Sequence, residues 1–144
     1  MRLLGILTLA CALLPAASLD EERKAVRQAS MDYIEALYNV QPELVERAVH
    51  PELAKRGFHK AKAGDPYREG KMSYEQLRDL AGRWNKDGKH VTPKSPKEVI
   101  ILDMDDQTAS VKIKAEWGFD YMHLAKYDGK WKIVNILWQS YSSK

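Results

Sequence analysis

Hydrophobic and polar positions change period midway along the chain. From Asp20 to Asn39, Val26, Ala29, Tyr33, Leu37 and Val40 recur at helical spacing, and Asp20, Glu21 and Glu22 place negative charge at the start, where the helix dipole favours it. Pro42 suits the first turn of a second short helix carrying Leu44, Val45, Ala48 and Val49. That helix should stop at His50-Pro51, because a residue before proline resists helical geometry. Ser73 and Gln76 have capping-box spacing ahead of a third helix, with Leu77, Leu80, Ala81 and Trp84 on one stripe and Gly88 as its end. Between these helices, His59–Lys71 and Asn85–Lys97 read as polar loops, the first long enough for a lid.

From Glu98 to Trp138 the period is that of strands. The stretch reads as three strands joined by two tight turns. Val99–Met104 is a β-rich run, ended by the polar turn Asp105-Asp106-Gln107. Val111, Ile113, Ala115 and Trp117 then alternate with Lys112, Lys114 and Glu116, one face buried and one wet. Asp128-Gly129 is a two-residue hairpin signal. Counting outward from a Tyr127–Lys130 pair puts Asp120, Met122, Leu124, Trp131, Ile133, Asn135 and Leu137 on one face. Phe119, Tyr121, His123, Val134, Ile136 and Trp138 fall on the other. Both faces are then largely apolar. One must cover the helices and the other must meet a partner, most simply a second copy of the chain packed sheet to sheet. Three helices followed by a long antiparallel, strongly curved sheet give a helix-on-sheet α+β domain.

The first 18 residues pattern differently. Arg2 supplies a positive start, Leu3–Leu14 an apolar run, and Ala16-Ala17-Ser18 a small-residue cleavage site, so residues 1–18 are expected to be a signal peptide and 19–144 one α+β domain of a secreted, periplasmic protein. The apolar run is too short to span a membrane. Cys11, the only cysteine, follows Thr8-Leu9-Ala10; a lipoprotein anchor there fits poorly, and Cys11 is expected to leave with the signal peptide, so no disulfide is available to the remainder.

A net charge of +3, from 23 basic and 20 acidic residues, falls short of the concentrated basic face of a nucleic-acid binder. His50, His59, His90 and His123 lack the i, i+4 spacing of a helical metal site, and Asp103-Asp105-Asp106 lacks the glycine and terminal glutamate of a calcium loop. No metal and no cofactor are expected.

The first helix with Tyr33–Tyr38, the segment His50-Pro51-Glu52-Leu53-Ala54-Lys55-Arg56-Gly57, and the hairpin DYMHLAKYDGKWKIVNILW together resemble the cone-shaped nuclear-transport-factor-2-like superfamily. Within it the chain is most similar to the group called putative lumazine-binding, over about Glu21 to Trp138. The resemblance implies a concave sheet face and a first helix enclosing a pocket. In enzymes of the superfamily, Asp, His or Tyr residues in that pocket move protons in isomerisations and dehydrations.

On that basis Asp120 and Tyr33 are the candidate base and donor. Tyr33, Trp84, Trp117, Asp120 and Asn135 are the candidate ligand-binding residues, with the aromatics able to stack on a flat, aromatic or apolar molecule. The resemblance supplies no motif that maps a catalytic pair onto this chain. The leading expectation is therefore a non-catalytic small-molecule-binding or accessory protein. An acid–base isomerase or dehydratase is the second reading, and an envelope interaction domain without a ligand the third.

Overall fold

The computed structural model describes residues 17–142; the signal-peptide and Cys11 expectations lie outside that range, except for Ala17 and Ser18. Helix α1 spans Leu19–Tyr38. Ser18 caps it, its hydroxyl accepting from Glu21 N while the Glu21 carboxylate accepts from Ser18 N, so two otherwise unsatisfied donors are met. The inward stripe holds Val26, Ala29, Tyr33, Ile34 and Leu37. Val40 does not continue it: the helix has already ended, and Val40 adopts a left-handed backbone (φ 57°).

Helix α2, Pro42–Ala48, starts on its proline as expected. The chain then enters a strand, β1 (Val49–His59), which takes Val49 from the expected helix and for which the sequence pattern predicts no element. Pro51 is tolerated there because the pairing is interrupted between Val49 and Ala54. Strand β2, Arg68–Met72, occupies the second half of the expected polar loop. It is an edge strand whose charged side chains face water, which explains its loop-like composition. Helix α3, Tyr74–Ala81, has the capping box of Ser73 and Gln76. It ends at Gly82, not at Gly88, so Trp84 stands in the turn beyond it, where its N–H donates to Leu80 O.

The C-terminal region contains four strands and three turns, not three and two. They are β3 (Glu98–Met104), β4 (Thr108–Ala115), β5 (Gly118–Tyr127) and β6 (Lys130–Ser140). The extra turn is Glu116-Trp117. The alternation through Ala115 and Trp117 conceals it, and Gly118 marks it. Gly118 sits at φ +141°, and a Cβ there would lie 2.0 Å from Gln139 O.

The sheet order is β2-β1-β6-β5-β4-β3. Neighbours are antiparallel except β1 and β6, which run parallel, so the sheet is mixed where a purely antiparallel one was expected. It is curved and unclosed, with the three helices covering its concave face: the cone-shaped α+β architecture expected from the sequence. No helix among the described residues is long and apolar enough to cross a membrane.

Tyr127 pairs with Lys130 as counted, but the count fails farther out. Leu124 pairs with Ile133 and His123 with Asn135, so Val134 is the extra residue of a β-bulge. Beyond it every β6 side chain changes face. Ile136 and Trp138 join Asp120, Met122, Leu124, Trp131 and Ile133 on the concave side, while Asn135 and Leu137 move to the convex side. The convex face of the hairpin is therefore more polar than expected, with Phe119, Tyr121 and Leu137 beside His123 and Asn135.

A candidate ligand cavity between helix and sheet

The interior does not fill the cone completely. A cavity of about 250 Å³ lies between α1, α3 and the concave sheet, lined by Tyr33, Leu37, Lys55, Met72, Leu77, Leu80, Trp84, Trp117, Trp138 and Ser140. Its wall is mostly apolar, with the Lys55 amine and the Tyr33 hydroxyl as its main polar groups.

Local structure explains how each group arrives. Tyr33 belongs to the inward stripe of α1 and is 1% exposed. Lys55 is carried by β1, whose inward positions are Leu53, Lys55 and Gly57. Gly57 is needed beside it: a Cβ there would lie 2.1 Å from Trp138 O and 2.4 Å from the indole ring. With no side chain on Gly57, the Trp138 ring can cross β1, stack on His59 and lie under the Lys55 ammonium. Trp117 is fixed at the β4–β5 turn, where the Tyr38 hydroxyl accepts from Glu116 N at 2.7 Å and donates to Pro96 O at 2.7 Å. Burial pushes the Tyr38 hydroxyl up to about 12, so it stays protonated in this double role.

The aromatic rings form a lattice. Trp117 meets Tyr33, Tyr38 and Trp84 edge-on, with centroids 5.6–5.8 Å apart. Trp84 lies between Tyr38 and His90, nearly parallel to both. These contacts hold the rings as a preformed wall.

The polar centre is a chain of three buried groups. Lys55 Nζ donates to Tyr33 Oη at 2.6 Å and lies 5.2 Å from that ring's centroid. The Tyr33 hydroxyl interacts in turn with the Asp120 carboxylate, each shifting the ionisation of the other. Trp117 Nε1 donates to Asp120 Oδ2 at 3.1 Å, while Oδ1 is buried with no hydrogen-bond partner among the described residues. Asp120 is fully buried and does not line the cavity, whereas its neighbours Tyr33 and Trp117 do.

Desolvation dominates all three ionisations. It raises the Asp120 pKa above the usual carboxylate value, against the Lys55 charge and the Trp117 and Tyr33 contacts, which lower it. It lowers the Lys55 pKa, partly offset by the Asp120 charge. It raises Tyr33 well above the ordinary phenol, and Asp120 adds to that shift. The arrangement can hold a proton on either carboxylate or amine and offers donors to an acceptor atom placed in the cavity.

Of the five candidate residues, the structure brings Tyr33, Trp84, Trp117 and Asp120 together. Asn135 is not with them. The bulge at Val134 turns it to the convex face, where its side chain contacts His123 Nδ1 at 3.2 Å. Lys55 and Trp138 were missed. The alternation Leu53-x-Lys55-x-Gly57 could have placed Lys55 inward, had β1 been recognised. Among the described residues, no three His, Cys, Asp or Glu side chains converge to hold a metal ion.

A family described as putative lumazine-binding matches residues 21–139. No curated protein matches. Solved structures of similar fold include an NTF2-like protein of unknown function from Silicibacter pomeroyi (13% identity, 87% of this chain and 100% of that one, TM-score 0.66). Another is an NTF2-like protein of unknown function from Shewanella baltica (16% identity, 89% and 100%, TM-score 0.64). A third, from Novosphingobium aromaticivorans, is described as a putative scytalone dehydratase (14% identity, 86% and 87%, TM-score 0.54). At these identities the likeness to solved structures is one of fold.

Proposed function

Starting from the fact that this chain belongs to the putative lumazine-binding family, within the NTF2-like superfamily, we propose that it is a small-molecule-binding protein whose ligand is a flat, largely apolar ring system held in the cavity. One observation carries this reading. The space of about 250 Å³ is walled by Trp84, Trp117 and Trp138 and has a single buried amine, Lys55, on its wall. Ligand sites are typically apolar concavities with a few placed polar groups, and this one falls just below their usual lower size of about 300 Å³. The size suits one or two fused rings, and the family's description names a ligand of that shape. Native mass spectrometry of protein purified from its own host should show a bound small molecule, and the cavity-filling variant Leu77→Trp should lose it. Protein mass alone in the wild type would overturn the reading.

An acid–base enzyme of the isomerase or dehydratase type is the second reading. What favours it is Asp120, a buried carboxylate with a raised pKa, one bare oxygen and a tyrosine hydroxyl beside it. If a turnover found by substrate screening survives Asp120→Asn, this second reading fails.

Two further features belong to the same proposal. Export to the periplasm rests on Arg2, the Leu3–Leu14 run and Ala16-Ala17-Ser18; a cell-associated protein retaining residues 1–18 would contradict it. Dimerisation through the convex sheet face rests on exposed Ile100, Leu102, Tyr121 and Leu137. Light scattering that shows a monomer at micromolar concentration would exclude it.

A further inference from the structure

Lys55 is the group that the cavity leaves least satisfied. An ammonium has three donors. Among the described residues the one hydrogen bond of Lys55 goes to the neutral Tyr33 hydroxyl, and its charge also lies over the Tyr33 and Trp138 rings. Its nearest counter-charge, Asp120, forms no ion pair with it and keeps Oδ1 bare. A buried ammonium with free donors and a cavity beside it is built to take an acceptor of negative charge, since charge-assisted bonds are the stronger ones.

Such a ligand creates a charge problem whose solution is already in place. With Lys55 protonated and Asp120 ionised, the site is neutral. An anion entering would leave two negative charges against one positive in a low-dielectric interior. The titratable groups facing Asp120 are Tyr33 from α1 and Lys55 from β1. Its cross-strand neighbours on β4 and β6 are Ile113 and Trp138, neither of which titrates. Asp120 is thus the group that can restore neutrality, by taking a proton on its bare oxygen.

Resting on the small-molecule reading above, we propose that the cavity selects flat monoanions such as aromatic carboxylates, with the anionic end on Lys55 Nζ and Tyr33 Oη, and that binding is accompanied by uptake of one proton on Asp120. The burial that raises the Asp120 pKa favours this uptake. Asp120 does not touch the ligand. It acts through the charge it gives up, as a positioning residue for Lys55.

The test uses 2-naphthoate and its neutral twin 2-naphthamide, titrated calorimetrically at pH 8 in phosphate and in Tris, whose heats of ionisation differ. The expected result is a preference for 2-naphthoate of about tenfold or more, the worth of one charge-assisted hydrogen bond. The buffer comparison should give close to one proton taken up per ligand bound. Asp120→Asn should abolish the uptake and keep the preference, and Lys55→Met should abolish the preference. Equal affinity for the twins in the wild type overturns the anion class while leaving the small-molecule reading intact. Uptake that persists in Asp120→Asn overturns the assignment of the proton to Asp120. Failure of both probes to bind the wild type overturns this inference, while the small-molecule reading stands or falls on the native mass spectrum.

Discussion

The same three ingredients occur at both ends of β5, and they are connected differently. Near the hairpin turn, Glu22 of α1 accepts from Lys126 Nζ at 2.7 Å on one oxygen and from Trp131 Nε1 at 2.6 Å on the other. Lys126 lies 5.4 Å from the centre of the Trp131 ring. Near the opposite end, Asp120 and the Trp117 indole N–H repeat the carboxylate and its donor, and Lys55 lies over a second tryptophan ring, that of Trp138. Here the lysine bonds to a tyrosine instead of the carboxylate, and one carboxylate oxygen is bare. The Glu22 pKa is lowered, chiefly by its hydrogen bonds to Lys126 and Trp131, and the Asp120 pKa is raised, chiefly by burial. A closed carboxylate–lysine–indole set ties helix to sheet. The open set leaves donor and acceptor capacity beside a cavity, and functional sites are where natural proteins leave such capacity unfilled.

The largest test of the contrast is Gly57→Ala. Its methyl would meet the Trp138 carbonyl and indole at 2.1–2.5 Å, forcing β1 and β6 apart at the cavity wall. A loss of about 3 kcal/mol is expected, read from the urea midpoint. Gly129→Ala, near the closed set, meets nothing within 4 Å but keeps a left-handed φ of +74°, so about 1 kcal/mol is expected there. Similar losses at the two positions would mean that the cavity end is not tightly built and would undercut the idea of a preformed site.

Next in size is the pair of lysine truncations. Lys126→Met strips Glu22 of its ion pair in a setting where both side chains are largely buried, and about 2 kcal/mol should be lost. Lys55→Met removes an ammonium whose one hydrogen bond is to a neutral hydroxyl, and it substitutes a side chain that suits an apolar wall. It also leaves the buried Asp120 without its counter-charge, which Asp120 can offset by taking a proton, so a loss of about 1 kcal/mol is expected, smaller than at Lys126. Thermal or urea unfolding of both variants at pH 7 decides the matter. Equal destabilisation would make Lys55 a structural residue like Lys126.

How much of this contrast could be read from the sequence depends on how each residue signals its position. Tyr33 and Asp120 were legible as partners, because both follow a clean period, helical in one case and counted from Asp128-Gly129 in the other. Asn135 was misplaced because a β-bulge has no signature in Lys132-Ile133-Val134-Asn135: each of these residues suits a regular strand. Lys55 was invisible because β1 has a lysine and a glycine at two of its inward positions, so its hydrophobic alternation is nearly erased. The same features that make β1 hard to recognise, an inward charge and a missing side chain, shape the cavity. Trp117 was assigned to a strand because the alternation ran unbroken into a turn whose one marker, Gly118, follows it. Local pattern reported the parts of the cone that are packed. It failed where the chain departs from regular packing, and there the candidate site lies.

The smallest expected effect is a slope, and it separates the two carboxylates by sign. Asp120 has its folded-state pKa above the ordinary value of 3.8. Between those two values the folded protein holds more protons than the unfolded chain, so stability falls as pH rises through that window. Asp120→Asn removes this loss and should flatten the decline on the way from about pH 4 towards neutrality. Glu22 has its folded-state pKa below 4.5. Its stabilisation is present above that value and disappears as pH falls through the folded pKa, so Glu22→Gln should flatten the acid limb instead. Urea midpoints for the wild type and both variants, taken in steps from pH 3 to pH 8, give the two difference curves. They should rise in opposite directions: Asp120→Asn gains on the wild type as pH increases, and Glu22→Gln gains as pH decreases. If the Asp120→Asn curve runs parallel to the wild type across the whole range, the buried carboxylate is as well satisfied as its counterpart at the hairpin turn. The two ends of β5 would then not differ in the way their hydrogen bonds indicate.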